Sequence, residues 1–593
     1  MCGFLVSSEV NNKKFFLLSA KDIIKRGPDF QKFLKLDSYL LYHSRLKIID
    51  VKTRSNQPFT DHEKKEYLLF NGEIYNFKTI KDKFNLTCKT TSDTEVLFLL
   101  LKTIGIKKAL KEIQGMFSFV FIDMKNNQTF CARDHFGQKP LYYSFSKKNF
   151  YCSTNIKPLT KLTNVSKFDE NCVNFYINSS GILPLDKTLF KKIYSLPAGN
   201  YIKYDNITKK LDIEEYFHPS DLVNPKYFSS LKRKKADTIK RELTAKIFTA
   251  VKRCLISDVS IGTTLSGGID SSIVTLFAKK INSNIKTFTG VSKGIEKIPE
   301  KIVPIITKKL KINKPIIIYH SPKKYLKKLF DIITNSYSPS RWGGGVPMSN
   351  ICKKARKMNV KVLLSGDGVD ELCGGYKTFS TIDLKQKDTY HKIIEINKDT
   401  KKNSLIKKYN LSLKLNRLKI KNKLKFISLN NEKKKQLYFL EDISIFLQAC
   451  TLPHGDEYSM HESLELRNPF LDIDLVEYVV NLLSKYKSKI KSTKNNGKII
   501  FKELAVNYFG KYINNEKEGT RNYALKVSDK EYWNINNFKI IKKFRINKKY
   551  INDNRKLFKI INLEFLYQNT ILQNKNFSIS SILSKKGYKY FYG

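Results

Sequence analysis

Several features that would place a protein in a simple class are missing from this sequence. None of its nine cysteines forms a Cys-x-x-Cys pair, and its eight histidines do not cluster at metal-ligand spacing, which argues against a zinc site. No apolar run reaches about 18 residues, so we expect no transmembrane helix and no membrane partner. The amino end, MCGFLVSSEV, continues into NNKK without the apolar core of a secretory signal. We therefore expect a cytoplasmic protein with reduced thiols.

Negative charge and arginine are both scarce. The chain has 109 Lys and Arg residues against 54 Asp and Glu, giving a formal net charge of +55, but only 14 of the basic residues are Arg. Such an excess would suit nucleic-acid binding, because basic side chains neutralise phosphates. Arginine, however, is the residue whose planar fork reads phosphates and base edges. We therefore interpret the charge as a lysine-rich, solvated surface and expect no nucleic-acid partner.

The length and composition predict more than one domain with a sizeable core. The chain has 593 residues, of which 41% are hydrophobic and 12% aromatic. Between Phe15 and Tyr151, short runs of aromatic and aliphatic residues predict a β-rich half. The predicted strands are FFLLS, YLLYHSRLKIID, EYLLFNGEIYNF, MFSFVFID and TFCARD, with MKNNQ as a hairpin turn between the last two.

After Lys240 the pattern changes to long helical periodicity interrupted by short apolar runs. We predict strands at 261–265, 285–291 and 360–364, and a helix at 269–281. Strand, glycine turn and helix in this order predict a parallel α/β sheet, whose ligands bind at the carboxyl ends of its strands. The Lys- and Asn-rich stretch 383–435 keeps Leu and Ile at helical intervals, so we interpret it as helices with a solvated face.

The most specific motif lies between the first of these strands and the helix after it, and it reads Leu265-Ser266-Gly267-Gly268-Ile269-Asp270-Ser271-Ser272. Its two glycines permit close backbone approach, and the N–H groups at a helix start face an anion, so the loop fits phosphate. Ser266 and Ser271 add hydroxyl donors. Because Asp270 would repel phosphate directly, it predicts an intervening Mg²⁺ with oxygen ligands. A serine-capped strand-to-helix turn is the structural alternative.

A second motif follows another of the predicted strands. It reads Ser365-Gly366-Asp367-Gly368-Val369-Asp370-Glu371, and it is followed by Cys373-Gly374-Gly375-Tyr376. An acidic turn after a buried strand is the structural alternative. The first loop resembles that of the ATP pyrophosphatases, which cleave ATP between the α and β phosphates, and the second resembles that of the asparagine synthetase family within them. The resemblance continues through 456–461, 464–472 and Gly497-Lys498.

This resemblance implies a set of roles in the carboxyl-terminal half. Asp370 would join Asp270 on Mg²⁺, and Gly366 would lie near the adenylate. Asp367 would lie near the reacting atoms, and Lys498 would stabilise charge at the α-phosphate and the departing pyrophosphate. The implied ATP-binding residues are Leu265, Ser266, Gly267, Gly268, Asp270, Ser271, Ser365, Gly366 and Glu371.

Cys2 directly follows the initiator Met, and a small residue there permits Met removal. Removal would place a thiol and an α-amine on one residue, and the amine, with an ordinary pKa of about 7.7 to 8.0, could act as base toward the thiol. Alone, a cysteine at this position is more often a small buried residue at the start of a strand. The motifs that follow decide whether Cys2 is interpreted as a nucleophile or as a buried structural residue.

Five further motifs occur in the order seen in class II glutamine amidotransferases, which are amino-terminal-nucleophile hydrolases. They are Arg26-Gly27-Pro28-Asp29, His43-Ser44-Arg45-Leu46, Asn71-Gly72-Glu73-Ile74-Tyr75-Asn76, Ser92-Asp93-Thr94-Glu95 and Ala132-Arg133-Asp134-His135-Phe136-Gly137.

The resemblance implies that Cys2 is the nucleophile, and it assigns the glutamine-binding residues. Arg45 would pair with the glutamine α-carboxylate and Asp93 with its α-ammonium, while Glu73 belongs to the same pocket. Asn71 and Gly72 would form the oxyanion hole. Asn-Gly is also a common hairpin turn, which is the structural alternative for that pair.

The resemblance covers nearly the whole chain and implies its architecture. We expect an α+β amino-terminal-nucleophile hydrolase domain of stacked antiparallel sheets at 1–210, a linker at 211–237, and an α/β ATP-pyrophosphatase domain at 238–593 with a parallel sheet and a helical carboxyl-terminal part. The implied reaction is glutamine-dependent asparagine synthesis from ATP, aspartate and glutamine, with Mg²⁺. The sequence leaves the oligomeric state open, with a homodimer as one candidate.

Departures from the family pattern bear on the carboxylate that accepts the ammonia. Asp367 stands where the family carries Glu, and Asn155 also replaces a Glu. Tyr337, Ser338 and Trp342 stand where acidic residues are usual. An amidotransferase acting on another carboxylate, such as a sugar acid of a surface polysaccharide, is therefore an alternative. An alternative from a different class is a basic nucleic-acid-binding protein whose enzyme fold has lost its catalytic activity.

Overall fold

The computed structural model describes residues 2–146, 148–292, 298–341, 343–376, 404–489, 497–514 and 527–592. The strands in these ranges are β1 (Gly3–Ser7), β2 (Phe30–Lys35), β3 (Leu40–Arg45), β4 (Glu66–Ile74), β5 (Gly115–Asp123), β6 (Gln128–Arg133), β7 (Tyr142–Ser146), β8 (Asn149–Ser153), β9 (Tyr194–Ser195), β10 (Asn200–Asp205), β11 (Leu211–Glu215), β12 (Ile261–Thr264), β13 (Lys286–Ser292), β14 (Ile316–His320), β15 (Val362–Leu364) and β16 (Glu465–Arg467).

Helices are concentrated in the carboxyl-terminal half. They are α1 (Lys13–Ala20), α2 (Phe77–Lys83), α3 (Asp93–Glu112), α4 (Ile156–Leu162), α5 (Glu170–Asn178), α6 (Pro225–Arg233), α7 (Ala236–Cys254), α8 (Ile269–Ile281), α9 (Ile298–Lys309), α10 (Tyr325–Ser336), α11 (Gly345–Lys357), α12 (Val369–Cys373), α13 (Ser404–Lys423), α14 (Asn430–Glu441), α15 (Leu452–Met460), α16 (Ile473–Val480), α17 (Ser484–Lys487), α18 (Ile499–Phe509), α19 (Lys539–Lys543), α20 (Asn554–Leu566) and α21 (Lys585–Tyr592). A π-helical segment, Asp442–Thr451, joins α14 to α15.

Two antiparallel sheets form the amino-terminal half. The first has the strand order β2-β3-β1-β8-β7-β9, and the second has the order β11-β10-β6-β5-β4. Their inner faces share one core, in which Phe4 and Val6 of the first sheet meet Leu69 and Val120 of the second. Outer faces are also apolar and are covered by helices, with α1, α4 and α5 on the first sheet and α2 and α3 on the second. This arrangement confirms the predicted stacked-sheet domain.

One predicted strand is wrong. FFLLS lies in helix α1, where Phe16, Ser19 and Ala20 are buried at helical spacing. A short apolar run has no clear period, and packing against the first sheet selects the helix. The predicted hairpin between β5 and β6 is present.

The carboxyl-terminal half contains the predicted parallel sheet. Its order is β14-β13-β12-β15-β16, and every pairing in it is parallel. Helix α8 has the predicted bounds, because an apolar face with residues 273, 274, 277 and 278 buried packs against the sheet. The stretch 383–435 is predicted to be helical, and its residues 404–423 and 430–435 lie in helices, the second of which continues to 441. Residues 383–403 lie outside the described residues.

Residues 211–237, predicted as a linker, contain β11, a short 3-10 turn and α6. Strand β11 pairs with β10, so this segment extends the second sheet. The two halves share a continuous core that includes Phe70 and Phe117 of the second sheet together with Ile239 and Ile261. Among the described residues, no helix combines the length and apolarity needed to cross a membrane.

Candidate active sites

Cys2 lies directly before β1, the strand between β3 and β8, and only 7% of its surface is exposed. Its backbone N–H donates to Asn71 Oδ1 at 3.0 Å, and its carbonyl oxygen accepts from Arg26 Nε at 3.1 Å. Burial raises the pKa of the Cys2 thiol. The thiol is therefore neutral near physiological pH and needs a base before it can act as a nucleophile.

Both predicted oxyanion-hole residues lie on the edge strand β4, and one of them, Asn71, contacts Cys2. Asn71 Nδ2 donates to Ser118 Oγ at 3.2 Å, and an amide nitrogen has a second proton for a substrate oxyanion. A Cβ at Gly72 would lie 2.0 Å from the Met116 carbonyl oxygen. Glycine is therefore required at this position by the close approach of β5.

Arg45 is buried at the end of β3 and is held by backbone. Its two terminal nitrogens donate to the carbonyls of residues 49, 50 and 52 and to Asn56 Oδ1, at 2.6 to 3.0 Å. Its charge interacts with Cys2, Asp50, Asp93 and Glu73. The structure thus brings together the predicted glutamine-binding residues, with Arg45 as a fixed positive charge whose fork is already occupied.

The predicted partner of an ammonium group, Asp93, lies at the start of α3. Its Oδ2 accepts from the Ile74 N–H at 2.9 Å, and burial raises its pKa to about 6. Glu73 on β4 is also buried, and burial together with the charge of Glu465 raises its pKa. The pocket therefore holds two carboxylates whose ionised forms gain from a bound cation.

The sequence assigns no role to Arg467, whose positive charge lies next to these carboxylates. Arg467 on β16 is fully buried; it pairs with Glu465 Oε1 at 2.6 Å and lies 3.3 Å from Glu73 Oε1. It also donates to the carbonyls of Cys254 and Ile256. The Arg467 guanidinium lowers the pKa of Glu465 to about 2, against the opposing effect of burial. The carboxyl-terminal half thus supplies charge to the predicted glutamine pocket.

The predicted phosphate loop follows the carboxyl end of β12 and leads into α8. Gly267 has φ +80°, a left-handed conformation that favours glycine. Ser271 Oγ lies 3.0 Å from Ser266 Oγ and accepts from the Ser266 N–H at 3.2 Å, and Ser272 Oγ donates to the Gly268 carbonyl at 2.6 Å. These hydroxyls fix the loop shape beside the helix start, where backbone N–H groups favour an anion.

The second predicted loop follows β15, the neighbour of β12, and packs against the first. A Cβ at Gly366 would lie 2.8 Å from the Asp270 Cβ. Ser365 Oγ donates to Asp367 Oδ2 at 2.8 Å. Glu371 is fully buried and accepts from Thr451 Oγ1 at 2.6 Å. Burial, together with the neighbouring Asp370, raises the Glu371 pKa to about 7.

Lys498 lies between the two predicted metal ligands. Its Nζ is 2.5 Å from Asp270 Oδ2 and 2.7 Å from Asp370 Oδ1, and both carboxylates raise its pKa in spite of burial. The two carboxylates are close enough to share one cation, and their hard oxygens are the donors that Mg²⁺ prefers. Asp270 and Asp370 therefore fit a Mg²⁺ site, and Lys498 fits the predicted contact with phosphate.

A small cavity lies between the two predicted sites. Asp367 and Thr451 line it from the carboxyl-terminal half, and Gln138 and Lys139 line it from the amino-terminal half. Lys139 Nζ donates to the Leu466 carbonyl at 3.3 Å, and burial lowers the Lys139 pKa. Asp367 is thus placed where the two halves meet.

Three of the departures from the family pattern, Asn155, Tyr337 and Ser338, lie near this interface and contact other groups. The Tyr337 ring stacks on Phe190 with centroids 5.6 Å apart, Ser338 is buried, and Asn155 lines a cleft between the halves. Arg341, in the same loop as Tyr337, pairs with Glu457 at 3.0 Å. Trp342 lies outside the described residues.

Comparisons with known proteins match two parts of the chain to two families. Residues 1–217 match the glutamine amidotransferase domain family, and residues 242–532 match the asparagine synthase family. The glutamine-hydrolysing asparagine synthetase 1 of Bacillus subtilis is 27% identical, over 87% of this chain and 86% of its own. A Methanocaldococcus jannaschii protein, provisionally named glutamine-hydrolysing asparagine synthetase 2, is 31% identical, over 64% of this chain and 76% of its own. A solved allosteric regulatory enzyme of purine biosynthesis aligns with 55% of this chain and 81% of its own, at a TM-score of 0.30 and 10% identity.

Proposed function

Because the chain belongs to the asparagine synthetase family and carries a glutamine amidotransferase domain, we propose that it synthesises asparagine from aspartate, ATP and glutamine. The observation that carries the proposal is the assembly of both predicted sites. Cys2 lies against Asn71, and Lys498 bridges Asp270 and Asp370. A cytoplasmic location and the predicted domain bounds form part of the same proposal.

Glutamine hydrolysis begins at Cys2. Its thiol proton passes to the Cys2 α-amine, and the sulfur attacks the glutamine amide carbon to form a tetrahedral intermediate. Asn71 and the Gly72 N–H stabilise the oxyanion. The C–N bond breaks as the α-amine returns the proton to the departing ammonia, and water then cleaves the thioester to release glutamate. Arg45, Glu73 and Asp93 hold the glutamine.

The acceptor carboxylate is activated at the second site. A β-carboxylate oxygen of aspartate attacks the α-phosphorus of ATP, and the bond to pyrophosphate breaks. Ammonia then attacks the carbonyl carbon of the β-aspartyl-adenylate and AMP leaves, yielding asparagine after loss of a proton. The backbone at Ser266 to Gly268 and the Lys498 ammonium hold the phosphates. Mg²⁺ held by Asp270 and Asp370 would neutralise charge on the phosphates.

The described loop around Tyr337 and Ser338 offers no acidic side chain to an acceptor ammonium, which favours a second candidate. In that candidate the acceptor is another carboxylate, such as a sugar acid, and the chemistry is otherwise the same. Tyr337 stacking and Ser338 burial are compatible with either acceptor.

Pyrophosphate release separates the two candidates. The purified chain is incubated with MgATP and either glutamine or ammonium, with and without aspartate. We expect release to depend on aspartate, with formation of asparagine and AMP in equal amounts. The Cys2→Ala variant should lose glutamine-dependent release and keep ammonium-dependent release. Release that ignores aspartate would exclude asparagine synthesis and leave the second candidate.

A further inference from the structure

We propose that Asp456, in the carboxyl-terminal half, is a positioning residue for the Cys2 nucleophile and acts through Arg26. The inference rests on the proposed hydrolysis of glutamine at Cys2. It concerns a residue that contacts neither the glutamine-binding side chains nor the predicted Mg²⁺ ligands.

A bidentate ion pair joins the two halves at this point. Arg26 donates to Asp456 Oδ2 at 2.8 Å and to Asp456 Oδ1 at 3.2 Å. Both residues are at least 95% buried, since Arg26 is 4% and Asp456 5% exposed. A guanidinium is planar, so two bonds on one edge also fix the direction of its remaining N–H groups. Asp456 therefore sets where the Arg26 Nε–H points.

The Arg26 Nε–H points at the reactive residue. It donates to the Cys2 carbonyl at 3.1 Å, while the Cys2 N–H donates to Asn71 Oδ1 at 3.0 Å. These two bonds fix its backbone ahead of β1. Loosening Arg26 would let Cys2 turn about its contact with Asn71, which changes the path of the sulfur to the amide carbon.

Asp456 belongs to an element that also reaches the acceptor site. It lies on α15, and Thr451 and Gly455 from the same stretch line the cavity that contains Asp367, together with Asp456 itself. Thr451 in turn donates to Glu371 beside the predicted metal ligands. The half that consumes ammonia thus contributes a contact that orders the residue that produces it.

The test compares Asp456→Asn with Lys361→Gln in the full chain. Lys361 also bridges the halves, pairing with Asp29 at 2.7 Å, but it does not contact Cys2 or Arg26. For Asp456→Asn we expect glutaminase kcat to fall about 10- to 100-fold with the glutamine KM within about twofold of wild type. The rate of Cys2 alkylation by iodoacetamide, followed against pH, should shift as well. Lys361→Gln should match wild type in both measurements.

Further measurements separate positioning from a loss of folding. Asp456→Glu keeps the carboxylate and should recover part of the lost kcat, and ammonium-dependent pyrophosphate release by Asp456→Asn should fall less than its glutaminase activity. Equal losses in both activities, or a wild-type kcat for Asp456→Asn, would overturn the inference. If the wild-type chain itself releases no glutamate from glutamine, the proposed function fails instead.

Discussion

Two buried carboxylates near the predicted glutamine pocket have pKa values that are shifted in opposite directions by their surroundings. Burial raises the Asp93 pKa to about 6, whereas the Arg467 guanidinium lowers the Glu465 pKa to about 2. Both groups lie within one charged cluster that includes Glu73. A bound glutamine ammonium would favour the ionised form of Asp93, so substrate binding and protonation are linked.

Glutamine binding should therefore weaken in acid. Below pH 6 the raised pKa leaves Asp93 mostly protonated in the free enzyme, and a neutral carboxyl attracts an ammonium poorly. We expect glutaminase kcat/KM to fall about tenfold per pH unit below this pKa, mainly through KM. Steady-state kinetics from pH 5 to 8 check this. In Asp93→Asn the KM should be high and independent of this ionisation; the same acid limb in that variant would contradict the assignment.

Lys498 should be required at one site only. Replacing it with Met removes the ammonium between Asp270 and Asp370, and we expect aspartate-dependent pyrophosphate release to fall at least about 100-fold, since electrostatic groups at phosphoryl transfer contribute on this scale. Glutaminase activity should stay near wild type. Lys279→Met, at the far end of α8, is the matched control and should leave both activities unchanged. Loss of glutaminase activity in Lys498→Met would indicate a folding defect.

The sequence predicts the roles of residues that lie in recognisable local motifs. It does not predict roles that depend on a partner far away in the chain. Cys2 and Asn71 are predicted and lie together. Arg467 lies within a motif, but its role depends on Glu73, which is nearly 400 positions earlier in the chain. Nothing in local composition indicates that pairing, because it forms only when the two halves pack.

Among the helices and strands, a long segment with a clear hydrophobic period is predicted correctly, whereas a short one without such a period is not. Helix α8 is predicted with its observed bounds, since its apolar face repeats over several turns. FFLLS is wrongly predicted as a strand, because five residues do not distinguish the two periods and the contacts of Phe16 with the first sheet decide the outcome. The π-helical Asp442–Thr451 has no sequence signature, yet it places Thr451 against Glu371.

The turn that follows α12 should tolerate no side chain at Gly375. A Cβ there would lie 2.0 Å from Asp370 Oδ1 and 2.3 Å from Lys498 Cε, so Gly375→Ala displaces the carboxylate or the ammonium. We expect loss of pyrophosphate release of about 100-fold with little change in glutaminase activity. Lys279→Met, the control for Lys498→Met, should keep both activities here as well. Normal synthesis by Gly375→Ala would show that the turn adapts.

At the scale of the whole molecule, several of the few arginines lie at buried positions that require many hydrogen bonds. Arg26, Arg45, Arg133 and Arg467 are buried, and each makes several hydrogen bonds to fixed acceptors. Planar guanidinium groups suit such positions because they satisfy several carbonyls and carboxylates at once. Four of the 13 arginines in the described residues are thus buried at fixed polar contacts, while most of the positive charge of the chain is carried by lysine.

The amino-terminal half should depend on the rest of the chain. Its core continues into Ile239 and Ile261, and Glu73 is buried against Arg467. A fragment of residues 1–217 would expose this apolar surface and leave Glu73 without its cation. We expect it to aggregate or to melt at least about 10 °C below the full chain, measured by calorimetry. Full-length Cys2→Ala should melt with wild type; a fragment as stable as the full chain would contradict this account.

The segment from Asp456 to Arg467 has a practical consequence for protein engineering. It belongs to the carboxyl-terminal half by connectivity, but its side chains complete the surroundings of Cys2 and Glu73. A hybrid of two relatives would ordinarily be joined between domains. A junction near residue 217 would separate the predicted glutamine site from the buried charges of Asp456 and Arg467. A functional hybrid would therefore need the segment Asp456 to Arg467 from the same parent protein as its amino-terminal half.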